Sequence, residues 1–132
     1  MTGASLALQR AVHAALTGSH DVMAAVTGVF DAVPSGARPP YATIGADAVS
    51  DWSAVGVDGR EHRFAVTVWD DAAGSSRLKA AMAAVEAAVL GLDADLDGWR
   101  VVGLVFVTSA VTRDADGPAR GEVEFRARTV AD

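Results

Sequence analysis

The densest group of carboxylates lies at residues 93–98, which read Asp-Ala-Asp-Leu-Asp-Gly. Acids at alternate positions before a glycine match the first half of a calcium-binding loop. The match fails further on, because Leu104 stands at the twelfth position, where such a loop needs a bidentate glutamate. The residues from Trp99 onward also read as a strand instead of an exiting helix. We therefore interpret the segment as an acidic turn between a helix and a strand.

The histidines offer a second possible metal site. His13, His20 and His62 are not separated by the three or four positions that place two ligands on one helix face. The sequence therefore predicts no bound metal. We expect His13 on the solvent side of the first helix and His62 near the end of its strand.

Covalent catalysis and cofactor binding lack their usual sequence patterns. The chain has no cysteine, no Gly-x-Ser-x-Gly motif and no glycine-rich phosphate loop. Its serines fall at helix starts or in polar loops. Glu86, the acid within the longest helix pattern, is expected to face water or a neighbouring subunit. The sequence predicts no catalytic residue, no cofactor and no enzyme.

Charged residues alternate along the last strand pattern. Arg120, Arg126 and Arg128 share a face with Glu122 and Glu124, which nearly cancel their charge. This pattern favours cross-strand or intersubunit ion pairs over a nucleic-acid stripe. With 17 acidic against 11 basic residues, a net charge of -6 also argues against an affinity for phosphate backbones.

Trp52 lies in a polar loop, where a large aromatic side chain is unexpected. Tryptophan is favoured at the centres of protein interfaces. Two readings remain open: the ring contacts a neighbouring chain, or the loop folds back and buries it.

The elements that position these residues are predicted from periodicity. A first helix runs from Ser5, its cap, to Gly18, and a short helix covers residues 21–26. Residues 29–33 form a brief strand, residues 34–40 a proline-rich connector, and residues 41–49 a strand. A polar loop follows at residues 50–59, where Asp58-Gly59 is a dipeptide typical of hairpin turns.

The second half alternates strands with one long helix. His62, Phe64, Val66 and Val68 share the core face of a strand, and Ser75 or Ser76 caps the helix that follows. Residues 99–107 are apolar on both faces, which predicts a strand covered on two sides. A turn at residues 114–118 leads into the final, half-exposed strand.

The length of 132 residues suits one domain spanning residues 1–132. The element order predicts an α+β fold, with a mainly antiparallel sheet of about four to five strands and two main helices packed on one face. No secretion signal and no uninterrupted run of 18 apolar residues occurs. We therefore expect a soluble protein made in the cytoplasm.

The order and spacing of several segments resemble a known family. The chain is similar to the small tail-completion, or tail-terminator, proteins of long-tailed bacteriophages, and most of all to those of prophages and gene transfer agents of alphaproteobacteria. Trp69, which closes a strand before an alanine-rich helix, contributes to this resemblance. The other segments that carry it are residues 8–12, 29–34, 40–45, 96–101 and 125–127.

The resemblance implies a structural role. Family members form a ring, usually of six subunits, that caps the head-proximal end of the tail tube. The ring stops tube polymerisation and presents a surface to the head–tail connector, or stopper. The implied partners are copies of the chain itself, the tail tube protein and the connector, with DNA passing through the channel without specific binding and no membrane involved. Assembly takes place in the cytoplasm of the producing cell, and the protein then resides in the particle at the head–tail junction.

Within this reading, the loop at residues 50–59 and the connector at residues 34–40 are expected to contact neighbouring subunits or adjacent rings. The interface residues predicted are Trp52, Ser53, Asp58, Arg60 and Arg38. Two alternatives remain: another head–tail connector protein, such as a stopper or adaptor, and a small-molecule-binding α+β domain with a deep pocket.

Overall fold

A computed structural model describes residues 2–132, apart from the side chain of residue 46. In this range three helices and five strands follow one another along the chain. They are α1 (Ala4–Thr17), α2 (His20–Ala25), β1 (Val29–Phe30), β2 (Tyr41–Asp51), β3 (Gly59–Asp70), α3 (Ser76–Leu90), β4 (Trp99–Arg113) and β5 (Ala119–Ala131).

The five strands form one sheet in the order β1-β2-β3-β5-β4. Only the short β1–β2 pair is parallel, and the other three pairs are antiparallel. The helices pack on one side, here called the helix face, and the opposite side is called the open face. The predicted α+β class, the mainly antiparallel sheet and its strand number are confirmed.

The core lies between the helices and the central strands β3 and β5. His62, Phe64, Val66 and Val68 are all buried on the helix face, as their two-residue spacing predicted. Phe64 stacks on Phe125 of β5, with ring centroids 5.4 Å apart. These contacts make β3 and β5 the two strands that are covered best.

Helix α1 begins at Ala4, one residue earlier than predicted. Gly3 is its cap residue and makes no side-chain capping bond, so the predicted cap at Ser5 is wrong. The Ser5 hydroxyl instead donates a hydrogen bond to the Asp47 carboxylate of β2. Val12 and Leu16 form the buried stripe of this helix.

Helix α3 starts after Ser75, as predicted, but the Ser75 side chain makes no capping bond. The start of the helix is held by Arg77, whose Nε donates to Oδ2 of the buried Asp70 at 3.1 Å. The hydrogen bond from Arg77 lowers the pKa of Asp70 below its ordinary value. An ion pair therefore joins the end of β3 to α3.

Close approach of α3 to β5 depends on a glycine. A Cβ atom at Gly121 would stand 2.2 Å from Sδ of Met82, far inside van der Waals contact. The buried stripe of α3 includes Leu78, Met82, Val85 and Val89, as their spacing predicted, whereas Leu92, the last residue of the predicted stripe, lies beyond the end of the helix. The sequence pattern thus identified the helix stripe, whereas the need for Gly121 becomes visible only in the packed structure.

Strand β4 differs from its prediction. The apolar run at residues 99–107 was expected to be covered on both faces, but β4 is the edge strand of the sheet and is largely exposed. The exposed large side chains on this strand are Val102, Val105, Phe106, Val107 and Val111. Helix α3 packs mainly on the neighbouring β5 and β3 and contacts β4 less, which leaves these side chains exposed.

Two predicted strand ends also need correction. Strand β1 ends at Phe30 instead of residue 33, and β2 continues two residues further, to Asp51. His62, the fourth residue of β3, is fully buried, and its Nε2 lies 2.8 Å from Oγ1 of Thr129 in β5. His13 is exposed on α1, as predicted.

Candidate interaction surfaces

The loop between β2 and β3, here called the β2–β3 tip (residues 52–58), holds three of the predicted interface residues. It is tightly hydrogen-bonded. Oδ1 of Asp51 accepts from the Ser53 amide at 3.2 Å and from the Ser53 hydroxyl at 2.6 Å. Oγ of Ser53 also accepts from the Gly59 amide at 3.0 Å. The two bonds that Asp51 accepts from Ser53, first of all the one from the hydroxyl, lower the pKa of Asp51.

The turn at the end of the tip is not the one predicted. Ala54 and Val57 exchange two backbone hydrogen bonds of 3.0 Å, and Gly56 between them has a φ of 79°. Gly56 is therefore the residue that needs left-handed backbone geometry, not Gly59. Gly59 opens β3, and a Cβ atom there would stand 2.4 Å from the Trp52 carbonyl oxygen.

Trp52 combines the two readings left open by the sequence. Its ring rests under the Arg128 guanidinium, 4.9 Å from the ring centroid, yet 40% of the residue stays exposed. The ring is thus held in a fixed position with one side available to a partner. A preordered aromatic side chain of this kind binds with little loss of conformational entropy.

The tip also exposes apolar side chains that the sequence reading missed. Val55 is fully exposed at the turn, and Val57 and Val49 are more than 40% exposed. The loop was described as polar because aspartates and serines surround these residues. The Asp51 and Ser53 side chains bond to each other and to the loop backbone, while the valines project outward.

Arg60 and Asp58 complete the predicted group. Nη1 of Arg60 lies 3.5 Å from Oδ1 of Asp51, and its guanidinium stands over the Trp99 ring at 5.6 Å. The Asp58 backbone carbonyl accepts from the Ala131 amide at 2.9 Å, while the residue itself is exposed. The structure therefore brings Trp52, Ser53, Asp58 and Arg60 together; their role in binding stays a prediction.

Arg38 does not belong to this group. It lies in the connector before β2, at the opposite end of the sheet, and the ten residue steps along β2 span about 33 Å. Thr27 fixes the connector, because its hydroxyl donates to the Arg38 carbonyl at 2.6 Å and its amide to the Pro40 carbonyl at 2.8 Å. The predicted residues thus occupy two ends of the molecule.

A third surface, which the sequence did not indicate, is the β4 edge (residues 102–113). The preceding part of β4 is paired by the chain itself, since the Val101 amide donates to the Ala94 carbonyl at 2.8 Å and the Leu96 amide to the Trp99 carbonyl at 2.9 Å. From residue 102 onward, within the described residues, no backbone bond reaches β4 from outside its hairpin with β5.

The open face of the sheet carries the charged pattern of β5. Nε of Arg128 lies 3.0 Å from Oε2 of Glu61 on β3, so this residue forms the predicted cross-strand ion pair. Arg126 faces Arg63 across the same strands, with no acid directly opposite. Charges of both signs therefore share the face.

Small-molecule binding finds little support in the shape of the chain. The pocket between α1 and β2, lined by Leu8, Ile44 and Phe64 among others, holds about 30 Å³, roughly the volume of one water molecule. A groove of about 420 Å³ between α3 and β4 is open to solvent and is lined by Glu86, which is half-buried there.

Residues 2–132 hold neither a metal-binding cluster nor a helix that could cross a membrane. No group of three or more histidine, aspartate and glutamate side chains in that range is placed to hold a metal ion. None of the described helices has the length and apolar character needed to cross a bilayer. The acidic segment at residues 93–98 is followed directly by β4, which begins at Trp99. It therefore lacks the exiting helix of a calcium loop.

Comparison with known families identifies the chain. The model of the family described as tail completion protein gp17 matches residues 10–130. The chain belongs to this family. The expected relationship to tail-completion proteins is therefore confirmed, and the protein is a structural component of the tail-completion type.

Two solved structures are similar to the chain. A chain in the virion of a native gene transfer agent particle has 35% sequence identity and a TM-score of 0.88, and the match covers 99% of this chain and 100% of that one. The gp17 protein of bacteriophage SPP1 has 22% identity and a TM-score of 0.62 over 94% of this chain and 89% of that one, which shows a shared fold. No curated protein matches the chain.

Proposed function

We propose that this protein is the tail terminator of a phage-like particle. As a ring of six copies it ends polymerisation of the tail tube at the head-proximal end and joins the tail to the head–tail connector. The observation that carries this proposal is the match over the full length of both chains to a protein of a gene transfer agent virion. The whole chain, residues 1–132, acts as a single domain in this assembly.

The positions of β2 and β4 in the sheet support a ring. A cyclic ring uses two different patches on each subunit, because every copy contacts the next one head to tail. The β4 edge lies at one side of the sheet and β2 lies near the other, with β3 and β5 between them. Contacts at opposite sides of one sheet can repeat around a closed ring.

The two ends of the strands then supply the surfaces for stacked neighbours. The β2–β3 tip presents Trp52, Ser53 and Asp58 at one end, next to Arg60, and the connector presents Arg38 at the other. We assign one end to the tail tube protein and the other end to the head–tail connector protein. A separation of about 33 Å between the ends allows both contacts at the same time.

The charge of the chain suits passage of DNA through such a ring. A net charge of -6 per subunit disfavours adhesion to a phosphate backbone, so DNA passes without specific binding. No catalytic step is needed for this role. Subunits assemble in the cytoplasm of the producing cell and remain at the head–tail junction of the particle.

Electron microscopy of the purified protein mixed with its tail tubes tests the proposal. The expected result is a ring at one end of each tube and no further growth when tube protein is added. Tubes that keep growing with the protein present, or a protein that binds along the tube wall, would contradict the terminator role. A protein found only on the connector would instead identify a stopper or adaptor, the nearest alternative.

A further inference from the structure

Both sides of the sheet end in a strand segment that no part of the described chain covers. One is the β4 edge already defined. The other is the β2 edge (residues 44–50), because β1 pairs with β2 only at Ala42 and Thr43. Within the described residues, no backbone hydrogen bond from outside the β2–β3 pair reaches residues 44–50.

The β4 edge lacks the features that keep edge strands from pairing. Charged residues, prolines and very short strands normally protect a sheet edge. Between residues 102 and 112 the strand contains no charged residue and no proline. Val102, Val105 and Val107 are instead exposed along it. Such an edge is expected to be paired in the functional assembly.

The β2 edge fits the β4 edge in direction. Residues 44–50 contain one charged residue, Asp47, and residues 103–109 contain none, so no like charges would face each other. The three antiparallel pairs make β2 and β4 run in opposite directions. Rotation about an axis along the strands keeps these directions, so β2 of a second copy would lie antiparallel to β4.

The lengths of the free segments also correspond. Across the sheet, Ile44 lies in the same row as Ser109, and Ser50 in the same row as Gly103. The chain's own residues 94–96 cover β4 up to Val101, and Val101 lies in the row of Asp51, where β2 ends. At the other end, β1 pairs with β2 at Ala42 and Thr43, so the free segment of β2 begins at Ile44.

From these features we infer that residues 103–109 of β4 pair with residues 44–50 of β2 from the next copy, so that one sheet continues around the ring. The inference rests on the proposed ring and specifies its subunit contact. With the strands along the ring axis, cyclic symmetry permits no rise between copies, so residues in the same row meet. Ala48, which shares a row with Arg63, Arg126 and Val105, therefore meets Val105 of the next copy on the open face.

Disulfide trapping tests this contact, and the absence of native cysteine makes the background clean. The variant Ala48→Cys with Val105→Cys is assembled into tailed particles, oxidised and analysed on a non-reducing gel. The expected result is a shift of most of the protein from the monomer band to a ladder that ends at the full ring. Cysteines bridge only when their Cα atoms lie within about 7 Å.

A matched control uses Ala48→Cys with Ala110→Cys. Ala110 is exposed on the same strand and the same face, but it lies in the row of Glu122, about 13 Å from the row of Arg126 along β5. The control pair is expected to stay monomeric. Equal crosslinking of both pairs would overturn the proposed register.

The contact can fail while the proposed function stands. Val105→Cys alone that crosslinks to itself would show β4 paired with β4 around a two-fold axis, which overturns this inference. The inference would be overturned as well if the Ala48→Cys, Val105→Cys protein forms rings at tube ends but still runs as a monomer after oxidation. Loss of the terminator role would instead be seen with the unmodified protein, as tubes that continue to grow.

Discussion

Strands β4 and β5 form one hairpin, yet their apolar side chains are covered to different extents. Those of β5 are buried under the helices, while most of those of β4 are exposed along an edge that has no charged residue between residues 102 and 112. Phe125 is fully buried, and its hairpin neighbour Phe106 is 39% exposed. The difference teaches that apolar character alone does not tell whether a strand serves the subunit core or a contact with another chain.

The largest effect is expected from the phenylalanine pair. Phe125→Ala should lower the free energy of unfolding of the isolated subunit by about 3–5 kcal/mol, because it leaves a cavity against Phe64. Phe106→Ala should cost only about 1 kcal/mol, the order of one edge-to-face contact. Urea unfolding of the monomer measures both values. Equal losses would remove the distinction between core strand and edge strand.

A smaller effect is expected from pH, again on the covered side. Burial lowers the pKa of His62 below its ordinary value of 6.5, with Arg60 adding to the shift and Asp47 opposing it. The unfolded chain keeps the ordinary pKa and takes up a proton first, so unfolding becomes easier as the pH falls below about 6.5. Above about pH 6.5, where the unfolded chain also carries a neutral His62, this group no longer changes the free energy of unfolding with pH.

The pair His62→Leu with Thr129→Val provides the control for this pH effect. It removes the titrating ring together with its buried hydrogen-bond partner, so no polar group is left alone in the core. Thermal unfolding between about pH 7.5 and pH 5 should show a clear decrease for the natural chain and a weaker one for the double variant. Identical slopes would show that His62 keeps an ordinary pKa.

The smallest effect on the subunit is expected at the β2–β3 tip. Trp52→Ala should leave the thermal midpoint of the monomer nearly unchanged, because the ring is 40% exposed and is held mainly by Arg128. Binding to the neighbouring ring, either the tail tube or the head–tail connector, should weaken, because removal of an aromatic side chain at an interface costs affinity. A large drop in the midpoint with unchanged binding to that ring would mean that Trp52 belongs to the core.

Periodicity predicted most of the fold because it reports which side chains are covered. The alternation at Val123 and Phe125 identified a half-exposed strand, and the helical spacing from Leu78 to Val89 identified α3. The same logic gave the wrong answer for β4, since an apolar run indicates coverage without saying which molecule supplies it. Our inference assigns that coverage to the next copy.

The candidate sites were predicted less completely, for reasons of long-range geometry. The tip residues Trp52, Ser53 and Asp58 are close in sequence and lie together in the structure, while their role in binding stays a prediction. Arg38 lies at the far end of β2, which only the strand length reveals. His62 was placed on the core face, but its contact with Thr129, a residue 67 positions away along the chain, becomes visible only in the structure.

A cryo-electron microscopy map of the assembled particle tests the terminator assignment most directly. We expect one ring of this protein between the last ring of the tail tube and the head–tail connector, with the β4 edge covered by the next copy. Density for the protein at any other position, or a single unpaired copy at the junction, would contradict the account.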